Sequence, residues 1–337
     1  MTGRILLTGG LGYIGSHTYV ALVRAGYDVV VIDNLSNAKA SVAGRLAQIT
    51  NRPTDFRKLD ILDRAGLEAL FHAEKFDAVV HFAGLKAVGE SVSQPLRYFD
   101  VNVTGLSNVL SAMQANDVGT IVFSSSATVY GGGADLPFQE DAPTSFSNPY
   151  AHTKLTGEQI LNQISSVNAK FCAGILRYFN PVGAHASGII GEDPNDIPNN
   201  LMPYIAKVAS RELPHLQVFG DDYDTPDGTG IRDYIHVDDL ARGHVLSLNS
   251  LLHTGRGHTV NLGTGRGYSV REVLAAYGRA CGWDLPYEIA PRRAGDIAEM
   301  RADITRAAAL LGFEAEMGLD EMCASSWHWI TTGAQHA

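Results

Sequence analysis

Cysteine is scarce in this chain of 337 residues: three thiols, Cys172, Cys281 and Cys323, odd in number and without a C-x-x-C pair. Neither a disulfide framework nor a zinc knuckle can be built from them, and they read as reduced core thiols. Proline is sparse, 13 residues against 35 glycines, and 45% hydrophobic with 18% charged residues excludes disordered or collagen-like chains. No stretch reaches the roughly 18 unbroken apolar residues expected of a transmembrane helix. Positive charge is in deficit. With 26 Lys and Arg against 36 Asp and Glu, the formal net charge of -10 removes counterion release as a driving force and argues against a general nucleic-acid binder. A few local arginines can still hold a small phosphate ligand. The start, Met1-Thr2-Gly3-Arg4 running into Ile5-Leu6-Leu7, has the character of a first strand and lacks that of a signal peptide, so the cytoplasm is the expected compartment.

What is present is alternation. Apolar runs with strand character recur at 4–8, 28–33, 56–60, 77–82, 120–124 and 171–177, mostly separated by segments long enough for helices. Runs such as Ile121-Val122-Phe123 are continuously apolar, as a parallel sheet covered on both faces requires. Beyond about residue 180 the pattern changes: Pro181, Pro194, Pro198 and Pro203 and the Asp/Gly-rich stretch 221–230 interrupt shorter elements. No internal repeat appears.

The first apolar run leads into Thr8-Gly9-Gly10-Leu11-Gly12-Tyr13-Ile14-Gly15, and an amphipathic segment follows. In that strand, turn, helix context the glycines permit a tight turn and let a pyrophosphate approach backbone N–H groups at a helix N-terminus. Asp33 closes the second run, where its carboxylate can accept ribose hydroxyls and repel a 2'-phosphate, favouring NAD over NADP. Ser16-His17 after Gly15 is not the Gly-Lys-Ser/Thr of a P-loop. The expected fold is therefore α/β: a Rossmann-type doubly wound parallel sheet over 1–180, with a smaller C-terminal α/β substrate-binding lobe over 181–337 from which some chain crosses back.

Tyr150 and Lys154 stand four apart where a helix begins after Pro149, so both project from one face. A neighbouring ammonium and a cationic nicotinamide would both favour phenolate, turning Tyr150 into a usable general base. Ser124-Ser125-Ser126, at the end of a preceding strand, supplies hydroxyls. His81 and His236 lack metal-ligand spacing, and no metal is expected.

Longer stretches carry a resemblance: Asp33-Asn34-Leu35, the run from His81-Phe82-Ala83-Gly84 to Glu90-Ser91, Ser124 to Gly131, Arg177-Tyr178-Phe179-Asn180-Pro181, Asn199-Asn200-Leu201-Met202-Pro203 and Arg232-Asp233-Tyr234-Ile235-His236. Over nearly its whole length the chain resembles the extended short-chain dehydrogenase/reductase family, in particular the branch that epimerises UDP-hexoses at C4. The resemblance implies tightly held NAD and interconversion of UDP-galactose and UDP-glucose. Tyr150, Lys154 and Ser126 would be catalytic. Gly9, Gly12, Tyr13, Ile14, Gly15, Asp33, Asn34, Asp60, Ile61, Phe82, Ala83, Gly84, Lys86 and Phe179, with Tyr150 and Lys154, would line the cofactor. Lys86, Ser126, Tyr150, Asn180, Asn200, Leu201, Phe219, Arg232, Arg293, Asp296 and Met300 would meet the substrate, the two arginines offering forked donors to phosphate. A homodimer is implied, with helices from about 95–116 and 150–166.

Two departures from the family pattern stand out. Val101 occupies a place where an Asn beside the cofactor is expected, with Asn102 next to it as a replacement, and Met300 stands where many relatives have Tyr. A flexible thioether fills a pocket less rigidly than a phenol, so UDP-N-acetylhexosamines are candidate additional substrates. The alternatives are a UDP-pentose 4-epimerase, a nucleotide-sugar 4,6-dehydratase and a noncatalytic NAD-binding regulator. Ala127 and Thr128 cannot replace the carboxylic acid a dehydratase needs, and the intact Tyr150, Lys154 and Ser126 set argues against the regulator.

Overall fold

Six strands lead the chain: β1 (Arg4–Thr8), β2 (Asp28–Asp33), β3 (Asp55–Lys58), β4 (Ala78–His81), β5 (Thr120–Ser126) and β6 (Cys172–Tyr178). Between them run α1 (Tyr13–Arg24), α2 (Ser41–Thr50), α3 (Arg64–Ala73), α4 (Val88–Ser93), α5 (Pro95–Phe99), α6 (Gly105–Ala115) and α7 (Pro149–Val167). The computed structural model describes residues 3–132, 135–193, 200–293 and 295–333.

The second part of the chain forms β7 (Asn180–Val182), α8 (Leu201–Ala209), β8 (Leu216–Phe219), β9 (Ile231–His236), α9 (Val237–Thr254), β10 (His258–Leu262), β11 (Gly267–Ser269), α10 (Val270–Cys281), β12 (Tyr287–Ala290), β13 (Glu299–Met300), α11 (Thr305–Leu311) and α12 (Leu319–Thr332). The main sheet is parallel throughout, in the order β10-β6-β5-β4-β1-β2-β3, a doubly wound arrangement whose order reverses between β1 and β4.

Period-2 geometry explains the unbroken apolar runs. Ile5, Leu7, Val29, Val31 and Val80 face one core with α1 and α9, while Leu6, Val30, Ile32, Val79, Ile121 and Phe123 face the other with α3, α6 and α7. Each such side chain, removed from water, contributes about 1.5–3 kcal/mol before chain entropy is counted. A third core packs α8, α10 and α12 around Val218 and Tyr234, beside small sheets formed by β7, β9, β11 and β13 and by β8 with β12. None of the helices among the described residues is long and apolar enough to cross a membrane. Cys172 and Cys323 are buried free thiols, but Cys281 is half-exposed, contrary to its reading as a core thiol.

Several boundaries differ from the sequence reading. β3 stops at Lys58, because the Asp60 carboxylate accepts the Leu62 N–H at 2.9 Å and turns the chain. β5 continues to Ser126, making the serine run part of the strand. Segment 95–116 is not one helix: a π-helical turn at Asp100–Thr104 separates α5 from α6.

Candidate active site

The β1–α1 turn is closed by contacts that leave no room for side chains. A Cβ on Gly9, whose φ is +66°, would stand 2.7 Å from the Ala83 nitrogen, and one on Gly15 would stand 2.3 Å from the Gly9 carbonyl oxygen. The turn can therefore bring its backbone against a ligand, and α1 starts at Tyr13 without a side-chain cap at Gly12, so its first-turn amides remain donors for an anion. Thr8 clamps the switch point, its hydroxyl 2.9 Å from His81 Nδ1 and accepting the Ala83 N–H at 3.2 Å. Asp33 lies at the far end of β2, its carboxylate accepting the N–H groups of Leu11 (3.2 Å) and Leu35 (2.9 Å). Burial raises its pKa and those amides oppose the rise. Glycine cradle, uncapped helix start and acidic strand end suit a dinucleotide with free ribose hydroxyls.

Other residues singled out for the cofactor fall around this turn in different ways. Asn34 donates to Asp60 at 2.8 Å. The Ile61 side chain is core, and the Tyr13 hydroxyl donates to the Gly183 carbonyl at 2.6 Å, which leaves each residue its backbone to offer. Phe82 packs its ring 4.7 Å from that of His244. Ala83 is half-buried, Gly84 is exposed beside Asn102, and exposed Lys86 pairs with Glu192 at 2.9 Å.

The π-helical turn directs Asn102 inward and Val101 into the apolar core. Asn102 accepts the Leu85 N–H at 2.7 Å and donates to the Leu85 carbonyl at 3.0 Å and to the Thr153 hydroxyl at 2.9 Å. It thereby ties the loop after β4 to α7. The Val101 position carries no polar contact of this kind, and its neighbour does.

Tyr150, Lys154 and Ser126 converge at the C-terminal end of β5. α7 begins with Pro149 at its first position and Asn148 as its cap, the Asn148 side chain accepting the Ala151 N–H at 2.9 Å. Ser126 accepts from the Thr128 hydroxyl (3.0 Å) and N–H (3.3 Å), so its own proton is free to point away, and its hydroxyl acts on the Tyr150 phenol. Lys154 is buried, donates to the Ser124 carbonyl at 2.7 Å and lies 6.0 Å from the Tyr150 ring centre. Burial lowers its pKa to about 8, against the opposing pull of Glu158. Burial pushes the Tyr150 phenol above its usual value, with the Ser126 hydrogen bond pulling it back. Phenolate at neutral pH thus needs positive charge close to the ring.

The putting-together of the second lobe is equally specific. β13 lies along β9 with Met300 opposite Arg232. Arg293 stacks 4.9 Å over the Phe219 ring and donates to Asp296 at 2.8 Å, and Arg232 and Arg293 both act on the buried Tyr234 phenol. Phe179 shares an apolar cluster with Tyr130, Phe138 and Met300. Asn180 opens β7; Asn200 stands at the N-terminal boundary of α8 without a side-chain capping bond and Leu201 begins the helix, while Asn199 of the same motif lies outside the described residues. His81 and His236 have hydroxyl partners in Thr8 and Ser325. Sequence reasoning missed Tyr178 and His244, hydrogen-bonded to each other behind Ser124, and Glu158 with Arg177. Only the position of Arg177 and Tyr178 just before Phe179 hinted at two of them.

A model of the NAD dependent epimerase/dehydratase family matches residues 5–263. The chain belongs to that family. This family member is 53% identical to a UDP-glucose 4-epimerase of Bacillus subtilis over 96% of each chain. Its fold superposes with a TM-score of 0.97 on a UDP-glucose-4-epimerase from Stenotrophomonas maltophila with bound NAD and formylated UDP-arabinopyranose, at 49% identity and covering 99% and 100% of the two chains. A second solved epimerase, from Bifidobacterium longum in complex with NAD+ and UDP, gives a TM-score of 0.93 at 49% identity over 98% and 99%.

Proposed function

We propose that the protein is a UDP-glucose 4-epimerase, interconverting UDP-galactose and UDP-glucose by oxidation at C4, rotation of the 4-keto sugar and reduction from the opposite face. The observation that carries this reading is the convergence of Tyr150, Ser126 and the buried Lys154 at the end of β5, with Ser126 acting on the Tyr150 phenol, beside a glycine turn shaped for a dinucleotide. NAD, when bound, supplies the hydride acceptor and donor and a positive charge beside the phenol. Gly9, Gly12, Tyr13, Ile14 and Gly15 would receive its pyrophosphate, Asp33 and Asn34 a ribose, and Asp60, Ile61, Phe82, Ala83, Gly84, Lys86 and Phe179 the rest of its length.

Tyr150 removes the 4-hydroxyl proton as the C4 hydrogen leaves with its electron pair, and the C–O bond becomes C=O. Ser126 donates to the same oxygen, holding it in line with the phenol. Lys154 favours phenolate. Because a planar ketone has lost the C4 configuration, return of the hydride to the other face, with the proton handed back by Tyr150, inverts the centre. That requires firm binding of UDP and loose binding of the hexose. Arg232 and Arg293 are suited to the diphosphate, Asn180, Asn200, Leu201, Phe219 and Asp296 to the nucleoside end, and Met300 to the sugar.

Met300 packs with Phe179 and Ile297 as a flexible wall, which favours UDP-N-acetylhexosamines as additional substrates. No turnover of UDP-N-acetylglucosamine at saturation refutes that extension. A UDP-pentose is the alternative, since a 49% identical relative holds a formylated UDP-arabinopyranose. We also infer a cytoplasmic enzyme, and a homodimer through helices of 95–116 and 150–166, the latter reading supported by the exposed Leu96 on α5. The test is conversion of UDP-galactose to UDP-glucose by purified protein without added nucleotide. Inactivity with NAD supplied, on hexose and pentose substrates alike, overturns the reading.

A further inference from the structure

Beside the proposed chemistry lies a buried ion pair that it does not use. Glu158 is one helical turn beyond Lys154 on α7, so both side chains leave the helix on the same face, and they are 3% and 7% exposed. Both reach the end of β5, Lys154 donating to Ser124 and Glu158 accepting from the Ser125 hydroxyl. Arg177 of β6 completes the arrangement with a two-pronged bond to Glu158, Nε at 3.0 Å and Nη2 at 2.7 Å. The same guanidinium donates to the Glu140 carbonyl at 3.0 Å and lies 4.9 Å over the Tyr130 ring. Three successive serines of β5 are thus held by three different partners: Lys154, Glu158 and Thr128.

A well-packed apolar pair commonly holds a core as well as a buried ion pair does, so the charge itself calls for a use. Lys154 supplies one. The groups facing it are Tyr150 on its own helix and His81 on β4, while Tyr178 on β6, backed by His244 on α9, acts on Ser124 and Tyr150. Burial holds both histidines neutral at physiological pH. Among the described residues the carboxylate that acts on the Lys154 ammonium is Glu158.

We propose that Glu158 is a positioning residue of the active centre: fixed by Ser125 and Arg177, its carboxylate seats the end of β5 against α7 and keeps Lys154 an ammonium at working pH. The proposal rests on the epimerase reading for the role of Lys154, but the charge state of that lysine can be followed without catalysis.

The experiment compares wild type, Glu158→Gln and Glu158→Asp in two ways. The first is kcat against pH. Loss of the ammonium limits activity on the alkaline side, and Glu158→Gln moves that limb down by at least about one pH unit, as expected for a unit charge one helical turn away at an effective dielectric of about 20. Glu158→Asp keeps the charge and returns most of the shift. The second readout is the urea midpoint. Burying the ammonium costs stability below its folded pKa of about 8, and the cost is lifted as pH rises toward the unfolded value of 10.5. In Glu158→Gln this gain begins at lower pH.

Because Glu158→Gln orphans Arg177, the double variant Glu158→Gln/Arg177→Met repeats both measurements without a stranded guanidinium; as it removes a positive charge together with the negative one, its shifts run in the same direction but are smaller than those of Glu158→Gln. A folded Glu158→Gln whose limb and stability onset stay with those of wild type, however far its activity falls, overturns the proposal. If wild type itself is inactive, the epimerase reading fails while the stability titration still decides the role of Glu158.

Discussion

Replacing Gly15 by Ala adds a single methyl carbon to the phosphate turn. That carbon would lie 2.3 Å from the Gly9 carbonyl oxygen and 2.8 Å from the Gly10 Cα. Both neighbours are backbone, so no rotamer change relieves the clash; to restore even a 3.0 Å contact the turn must open by about 0.7 Å. Overpacking of this size costs about 1–3 kcal/mol. If the strain is relieved only when the turn opens away from its ligand, the same energy appears as a fivefold to 150-fold loss of dinucleotide affinity, at about 1.4 kcal/mol per factor of ten. The assay is the amount of NAD released by acid from protein purified without added nucleotide, together with its urea midpoint. Two further glycines provide a scale. A Cβ at Gly12 meets the Gly9 oxygen at 3.3 Å and should cost less, while one at Gly44, inside α2, meets nothing within 4 Å and should stabilise the helix by about 1 kcal/mol. Gly15→Ala with full NAD content and wild-type stability would refute the steric argument.

Tyr150→Phe keeps the ring and removes the proton acceptor, so activity should fall by at least about a hundredfold with little change in the urea midpoint; comparable turnover would exclude Tyr150 as the base. Five histidines are held largely neutral by burial, with pKa lowered to about 3 (His17, His81) or about 4 (His185, His236, His244). The unfolded chain takes up protons at these sites from about pH 6.5 downward and the folded chain does not until pH 3–4, so stability is present above 6.5 and lost as pH falls through that window. Asp238, raised to about 6, and the raised Asp33 and Asp233 offset part of the loss, so stability should fall on going from pH 7.5 to 5, and a flat urea midpoint over that range would contradict it. Leu96, 84% exposed on α5, should tolerate Leu96→Glu in the monomer but lower the mass seen by light scattering if that helix joins two copies; an unchanged dimer mass would move the interface elsewhere.

The sequence by itself determined what local chemistry can determine. The glycine spacing, Asp33, and Tyr150 four residues before Lys154 follow from turn sterics and the helical repeat, and the unbroken apolar strands imply a sheet covered on both faces. It could not disclose that β10 extends the main sheet next to β6, because that pairing joins residues some 80 positions apart. Nor could it tell what each of two adjacent residues meets at 101 and 102: an ordinary helical repeat carries no sign of the π-helical turn that packs Val101 on the apolar core and puts Asn102 against Leu85 and Thr153. Glu158 reads as an unremarkable acidic residue on α7 until β5 and β6 bring Ser125 and Arg177 to its carboxylate. The phenol tells the same story. Sequence proximity suggests that Lys154 lowers the Tyr150 pKa, whereas tertiary enclosure raises it, because desolvation acts on every buried charge and is set by the protein around the ring.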